Sequence, residues 1–341
     1  MDASDHEAGG GPRHRKTRSS GLSGFAMASP SDHRLRSTPH ESANCGSGSA
    51  RRVYRPNVTR SVAVPREKSA DDRVLRPTRL LAAGIIPFLV TGFLILYIVP
   101  GRTGELFAWP IAPTMTAMLL ASAYAGGVWF FVSVLRAPEW HTVAEGFPPV
   151  VVFAGLLGGA TFLHWDRFTH GHVAFWVWTT LYVVAPFLVA WVWVVNRRTA
   201  APPAPDEPRL GAWTRRVFVA GGVVSVSLGV VLVVVPGLVS FVWPWAITSL
   251  TGRVVGAVLC LGIAGFGVLR DDRRSSVVRL AEVAMVMAAF VAIAMLRARD
   301  EIGWNRPLAW AMVAGVTVIL VGGGVLLARF RSARRPVGER R

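Results

Sequence analysis

One ten-residue stretch of the 341-residue chain holds the densest candidate chemistry: LHWDRFTHGH, residues 163–172, sets His164, Asp166, Arg167, His170 and His172 close together. Three imidazoles beside a carboxylate could ligate zinc or copper. Their spacing fits no standard zinc pattern, so His164, His170 and His172 stand as candidate ligands only, and no metal site is predicted. A second acidic position, Asp300, lies between Arg299 and Glu301, much as Asp166 sits beside Arg167. Carboxylates flanked by guanidiniums at two matched places can bind a ligand together. They can equally be ion pairs or helix caps that fix two loops.

A third feature is a phrase that returns. LFAWPIAPT at 106–114 reappears as SFVWPWAIT at 240–248. Aligned without gaps, Phe107, Trp109, Pro110 and Thr114 fall on Phe241, Trp243, Pro244 and Thr248. The same register carries Leu135-Arg136 onto Leu269-Arg270, Asp166 onto Asp300, and Trp176 onto Trp310. Coincidence of Trp, Pro and Asp in one register predicts a tandem duplication. Trp109 and Trp243 suit the headgroup-level aromatic belt, and Pro110 and Pro244 suit the first turn of a helix. The functional alternative makes Trp109, Trp243, Asp166 and Asp300 the walls of an outward-facing ligand site.

The elements that must position these residues follow from composition. The chain is 52% hydrophobic, and its apolar residues come in blocks long enough to cross a bilayer, about 17–25 residues each. Eight spans are predicted, near 80–100, 111–135, 147–163, 173–195, 217–236, 254–269, 280–296 and 308–328. The fold class expected is an all-α membrane protein, two four-helix repeats at 80–196 and 217–330. Residues 1–79, rich in Ser, Arg, Pro and Gly, read as a disordered basic cytoplasmic tail. Residues 197–216 read as a Pro-rich cytoplasmic linker, and 331–341 as a second basic tail.

Arginine asymmetry between alternate loops predicts both termini inside. Arg197, Arg198, Arg209, Arg215 and Arg216, then Arg270, Arg273, Arg274 and Arg279, fall on one side. An even number of spans per half gives the halves the same orientation, related by an axis along the membrane normal. The third and seventh spans read as short, about 17 residues each, and rich in small residues. Ala154, Gly155 and Gly158 align with Ala288, Ala289 and Ala292, a pattern that suits either the innermost packing helices or a central site.

The sequence also argues against several chemistries. Cys45 and Cys260 lie in a tail and in mid-span, so no disulfide framework is expected. SARRVYR at 49–55 precedes the first apolar run by too much to be a secretion signal, and no cleaved leader is expected. No histidine lies inside a span, so an intramembrane bis-histidine haem is not expected. Glu282, near the inner end of span seven, is the one acidic residue within a span. Nucleotide loops, nucleophile motifs and HExxH are missing. No cofactor and no nucleic-acid partner is predicted.

LFAWPIAPTMTA and LHWDRFTHGHVAFWVWTTLYVVAP resemble segments of uncharacterised multi-pass membrane proteins of actinobacterial type. That resemblance covers roughly residues 80–330 and implies a plasma-membrane location without implying an activity. The expectation is a non-enzymatic plasma-membrane protein that binds or transports a small or lipidic solute. The alternatives are an envelope enzyme with an outer-face carboxylate and histidine site, or a structural partner in a membrane complex.

Overall fold

In hydrocarbon a backbone amide has only other backbone groups to bond, so a long apolar run becomes helix. The computed structural model describes residues 71–202 and 207–332. Within them, eight helices of 19 to 25 residues are long and apolar enough to span a bilayer: α1 (Arg76–Ile98), α2 (Thr114–Arg136), α3 (His141–Leu163), α4 (Val173–Arg197), α5 (Ala212–Val234), α6 (Ser249–Gly267), α7 (Arg274–Arg297) and α8 (Pro307–Phe330). No sheet forms among the described residues; the extended contacts are two isolated bridges, Arg73 with Glu139 and Arg209 with Arg273. This is an all-α membrane protein.

Packing runs in the same order through each half. α1 lies on α2 and α3 on α4; α5 lies on α6 and α7 on α8. The halves then exchange partners, α7 packing against α2 and α3 against α6, with α2 and α6 meeting at the centre. Short elements repeat as well. The 3-10 turns Trp165–Arg167 and Arg299–Glu301 precede α4 and α8, which open at Val173 and Pro307. Trp176 Nε1 donates to the His170 carbonyl at 3.2 Å, and Trp310 Nε1 to the Trp304 carbonyl at 3.0 Å.

Four expectations need correction. Neither span three nor span seven is short: α3 starts at His141, ahead of the predicted 147, and α7 is a 24-residue helix, because its hydrogen bonding starts in the polar Arg274-Ser275-Ser276 turn that an apolar window omits. The innermost helices are α2 and α6 rather than α3 and α7. The predicted disordered tail ended too late. Its part at residues 1–70 lies outside the described residues, but 71–79 are held, with α1 starting at Arg76 and Asp72 bonded to His141. The linker is likewise helical at its ends, α4 running to Arg197 and α5 beginning at Ala212. Residues 203–206 of the linker and 333–341 of the final tail also lie outside the described residues.

Small residues serve contact unevenly. A Cβ on Gly158 would stand 2.7 Å from the Tyr182 carbonyl oxygen, whereas Gly155 faces open space. Ala154 and Ala288 are buried. α5 and α6 also approach closely, for Cβ atoms on Gly229 and Gly256 would each fall within 2.8 Å of the other's carbonyl oxygen.

Candidate functional site

Two ends of the helix bundle gather polar side chains. At the end bearing the two Trp-Pro phrases, Trp109 and Trp243 are core residues, 2% and 4% exposed. Trp109 is enclosed by Phe107, Phe168 and Trp178, with ring centroids 4.8 to 5.2 Å away. Trp243 meets the edge of Trp245 at 5.3 Å. Both indole N–H groups are buried without a partner among the described residues. The two aspartates are elsewhere. Asp166 pairs with its neighbour Arg167 at 3.3 Å and Asp300 with Arg299 at 3.7 Å, with side chains 77% and 92% exposed. Thus the four residues of the predicted ligand site divide into two packed rings and two solvated carboxylates.

The histidines also take separate roles. Arg253 on α6 donates from Nη1 to His164 Nε2 at 2.7 Å. Burial, and then the Arg253 guanidinium, hold the His164 imidazole below its usual range, which suits an acceptor. His170 packs edge-on against Phe175 at 4.7 Å, and His172 is the residue before α4 begins. Among the described residues no three His, Cys, Asp or Glu side chains are grouped to hold a metal.

Sequence reasoning missed Glu301. Its carboxylate accepts from the Thr114 amide at 3.1 Å, the Thr114 hydroxyl at 2.7 Å and the Met115 amide at 2.8 Å. It therefore caps α2, the other half's central helix. A signal existed: α6 has its own capping box in Thr248 and Thr251, while α2 is preceded by Pro113, which supplies no acceptor side chain.

At the arginine-rich end, His141 anchors a buried ionic cluster. Its Nδ1 bonds Asp72 Oδ2, and its Nε2 lies 3.0 Å from Ser275 Oγ. The order Asp72, His141, Ser275 has the connectivity of an acyl-transfer relay. Its surroundings do not suit that chemistry. Glu139 and Glu207 carboxylates lie 3.8 and 3.6 Å from the same Nε2, and negative charge there would oppose the oxyanion formed when a serine attacks a carbonyl. The cluster instead ties four segments together. Ser276 Oγ reaches the His141 carbonyl at 2.9 Å and Asp271 Oδ2 at 2.7 Å, while Arg273 Nε donates to Asp271 at 2.8 Å. Trp140 N donates to the Asp72 carbonyl at 2.8 Å, and Arg274 N to the Pro208 carbonyl at 3.0 Å, so both lead-in segments are fastened alike.

No family model, curated protein or solved structure matches this chain. The functional reading therefore rests on its own geometry.

Between the two ends, buried side chains hydrogen-bond one another or nearby carbonyls. Tyr124 and Tyr182 hydroxyls bond each other at 2.8 Å, and Trp245 Nε1 donates to Thr116 Oγ1 at 2.8 Å. Trp178 Nε1 donates to Thr161 Oγ1 at 2.9 Å, and Ser122 bonds back to the Met118 carbonyl at 2.8 Å.

Proposed function

We propose that this is a non-enzymatic plasma-membrane protein of two tandem four-helix halves, with both termini cytoplasmic, that binds a lipidic solute reaching it sideways through the bilayer. The observation that supports this reading is the hydrogen bonding of the core hydroxyls. The hydroxyls of Tyr124, Tyr182, Thr116, Thr161 and Ser122 are spent on protein partners, and α2 and α6 are the most buried spans. A polar solute crossing there would strand buried groups at about 1–3 kcal/mol each. A lipidic one, bound at the periphery, strands none. Recurrent element order supports the tandem halves, and the arginine excess supports the orientation.

Native mass spectrometry of the full chain, released from nanodiscs of native lipid, tests the reading. Discrete lipid adducts should survive activation that strips the surrounding annulus. Loss of all lipid together would overturn it. A second reading, a structural partner in a membrane complex, is favoured by α8, whose most apolar stretch holds no buried residue and whose Gly315, Gly322 and Gly324 face open space. Crosslinking from Gly315→Cys to another chain in native membranes would favour it. The envelope-enzyme alternative draws no support from Asp166 and Asp300, which are exposed and separately paired.

A further inference from the structure

A recess of about 110 Å³ opens at the arginine-rich end of α2, where α7 lies against it. Trp129, Val132, Ser133 and Arg136, three and four residues apart, line it from α2, and Arg279 closes it from α7. The recess thus joins one helix of each half.

Charge in the recess is unbalanced. Arg279 pairs with Glu282 at 2.8 Å, while Arg136, the last residue of α2, makes no ion pair among the described residues. Two guanidiniums against one carboxylate leave one net positive charge. Ser133 Oγ is spent on the Trp129 carbonyl at 2.8 Å, so it contributes little to recognition. Trp129 keeps 41% of its surface exposed, as an indole at the headgroup level does.

We propose that this recess binds the phosphate of an anionic glycerophospholipid, an assignment that rests on the lipid-binding reading above. Guanidinium forks match phosphate oxygens in geometry and charge, and basic pockets between spanning helices are a recurrent headgroup site. Volume narrows the choice. Pockets that engulf a small molecule measure roughly 300–1,000 Å³. A recess this small takes a phosphate and leaves the acyl chains outside, along Val132 and the exposed indole. A soluble organic anion would have most of its surface unburied there.

The test uses the purified full chain in phosphatidylcholine nanodiscs, titrated with phosphatidylglycerol or with inorganic phosphate and read by native mass spectrometry. Phosphatidylglycerol adducts should form on the wild type and fall about tenfold or more in the Arg136→Gln/Arg279→Gln double variant, while phosphatidylcholine adducts are unchanged. Val132→Trp, which fills the recess and keeps both arginines, should lose the same adducts. Arg136→Lys should retain part of them, and near-normal melting of Arg136→Lys and Val132→Trp separates loss of the site from loss of the fold. Phosphatidylglycerol adducts independent of both arginines would overturn the site while leaving lipid binding standing. Competition by millimolar inorganic phosphate with the same arginine dependence would overturn the lipid as the source of the phosphate. Absence of retained lipid of any kind would remove the broader reading as well.

Discussion

Glu301 caps the helix that begins at Thr114, across 187 residues of chain and from one four-helix half to the other. In the gapless sequence register Glu301 falls on Arg167, which cannot accept a hydrogen bond, and α6 caps itself through Thr248 and Thr251. The starts of α2 and α6 thus satisfy their orphan amides by different means. Only one of those means joins the halves.

Removing that cap should therefore loosen the molecule. Glu301→Ala strands two amides and a hydroxyl of α2 in a half-buried place, and should cost about 1–3 kcal/mol. Glu301→Gln keeps an acceptor oxygen and should lose less. Unfolding midpoints in mild detergent measure both. A Glu301→Ala protein as stable as wild type would refute the cap's importance.

The neighbouring aspartates should behave oppositely. Asp166→Asn and Asp300→Asn each break an exposed pair with the adjacent arginine, and such pairs are worth about 0–1 kcal/mol. Melting should barely change. A large loss in either variant would mean that its carboxylate has a structural partner beyond that arginine.

Helix packing gives a contrast within one residue type. Gly256→Ala would drive a Cβ to 2.7 Å from the Gly229 carbonyl oxygen, and Gly265→Ala to 2.4 Å from that of Phe218. Each should cost about 1–3 kcal/mol through overpacking. Gly84→Ala and Gly155→Ala meet nothing within 4 Å, and should be neutral or stabilising by roughly 0.5–1 kcal/mol from helix propensity. Equal effects at all four positions would deny that α5 and α6 meet through glycine.

The spans were legible because hydrocarbon leaves a twenty-residue apolar run little choice but helix. Their ends were less so. Hydropathy stops at Leu280, whereas the α7 hydrogen-bond ladder continues back to Arg274 through polar side chains. The candidate site was legible in part. Trp109 and Trp243 stood out, but residue type alone does not separate a belt tryptophan from a core one, and both are core. Glu301 was overlooked in favour of Asp300, one residue away, because a 3-10 turn sends adjacent side chains in different directions. The Arg136 and Arg279 recess needs α7 to pack on the other half's α2, a long-range pairing that local pattern does not encode.

Orientation is open to direct labelling. Gly171 and Gly237 are exposed at the Trp-Pro end, Ala200 and Gly211 at the arginine-rich end. Single cysteines at these positions, in a variant lacking Cys45 and Cys260, should divide cleanly. Gly171→Cys and Gly237→Cys should react with an impermeant maleimide on intact cells, and Ala200→Cys and Gly211→Cys only after lysis. The reverse pattern would invert the topology proposed from the arginines.

The His164–Arg253 contact makes a prediction about pH. His164 Nε2 accepts from Arg253, which requires that nitrogen to be unprotonated. Burial and the guanidinium lower the folded-state pKa of His164 below its ordinary value, about 6.5 in an unfolded chain. The unfolded chain therefore binds the proton more readily, and stability rises with pH across the window between the two values. Above that window the contribution is complete. As pH falls from about 6.5 toward the lower folded value, it is progressively lost. His164→Gln keeps a side-chain oxygen that can accept from Arg253 and removes the titration. Its melting profile should lack the decline that wild type shows between pH 7 and pH 5, so the difference between the two proteins should itself depend on pH. Parallel profiles over that range would show that His164 senses the same environment folded and unfolded, and the contact would then have no part in joining α3 to α6.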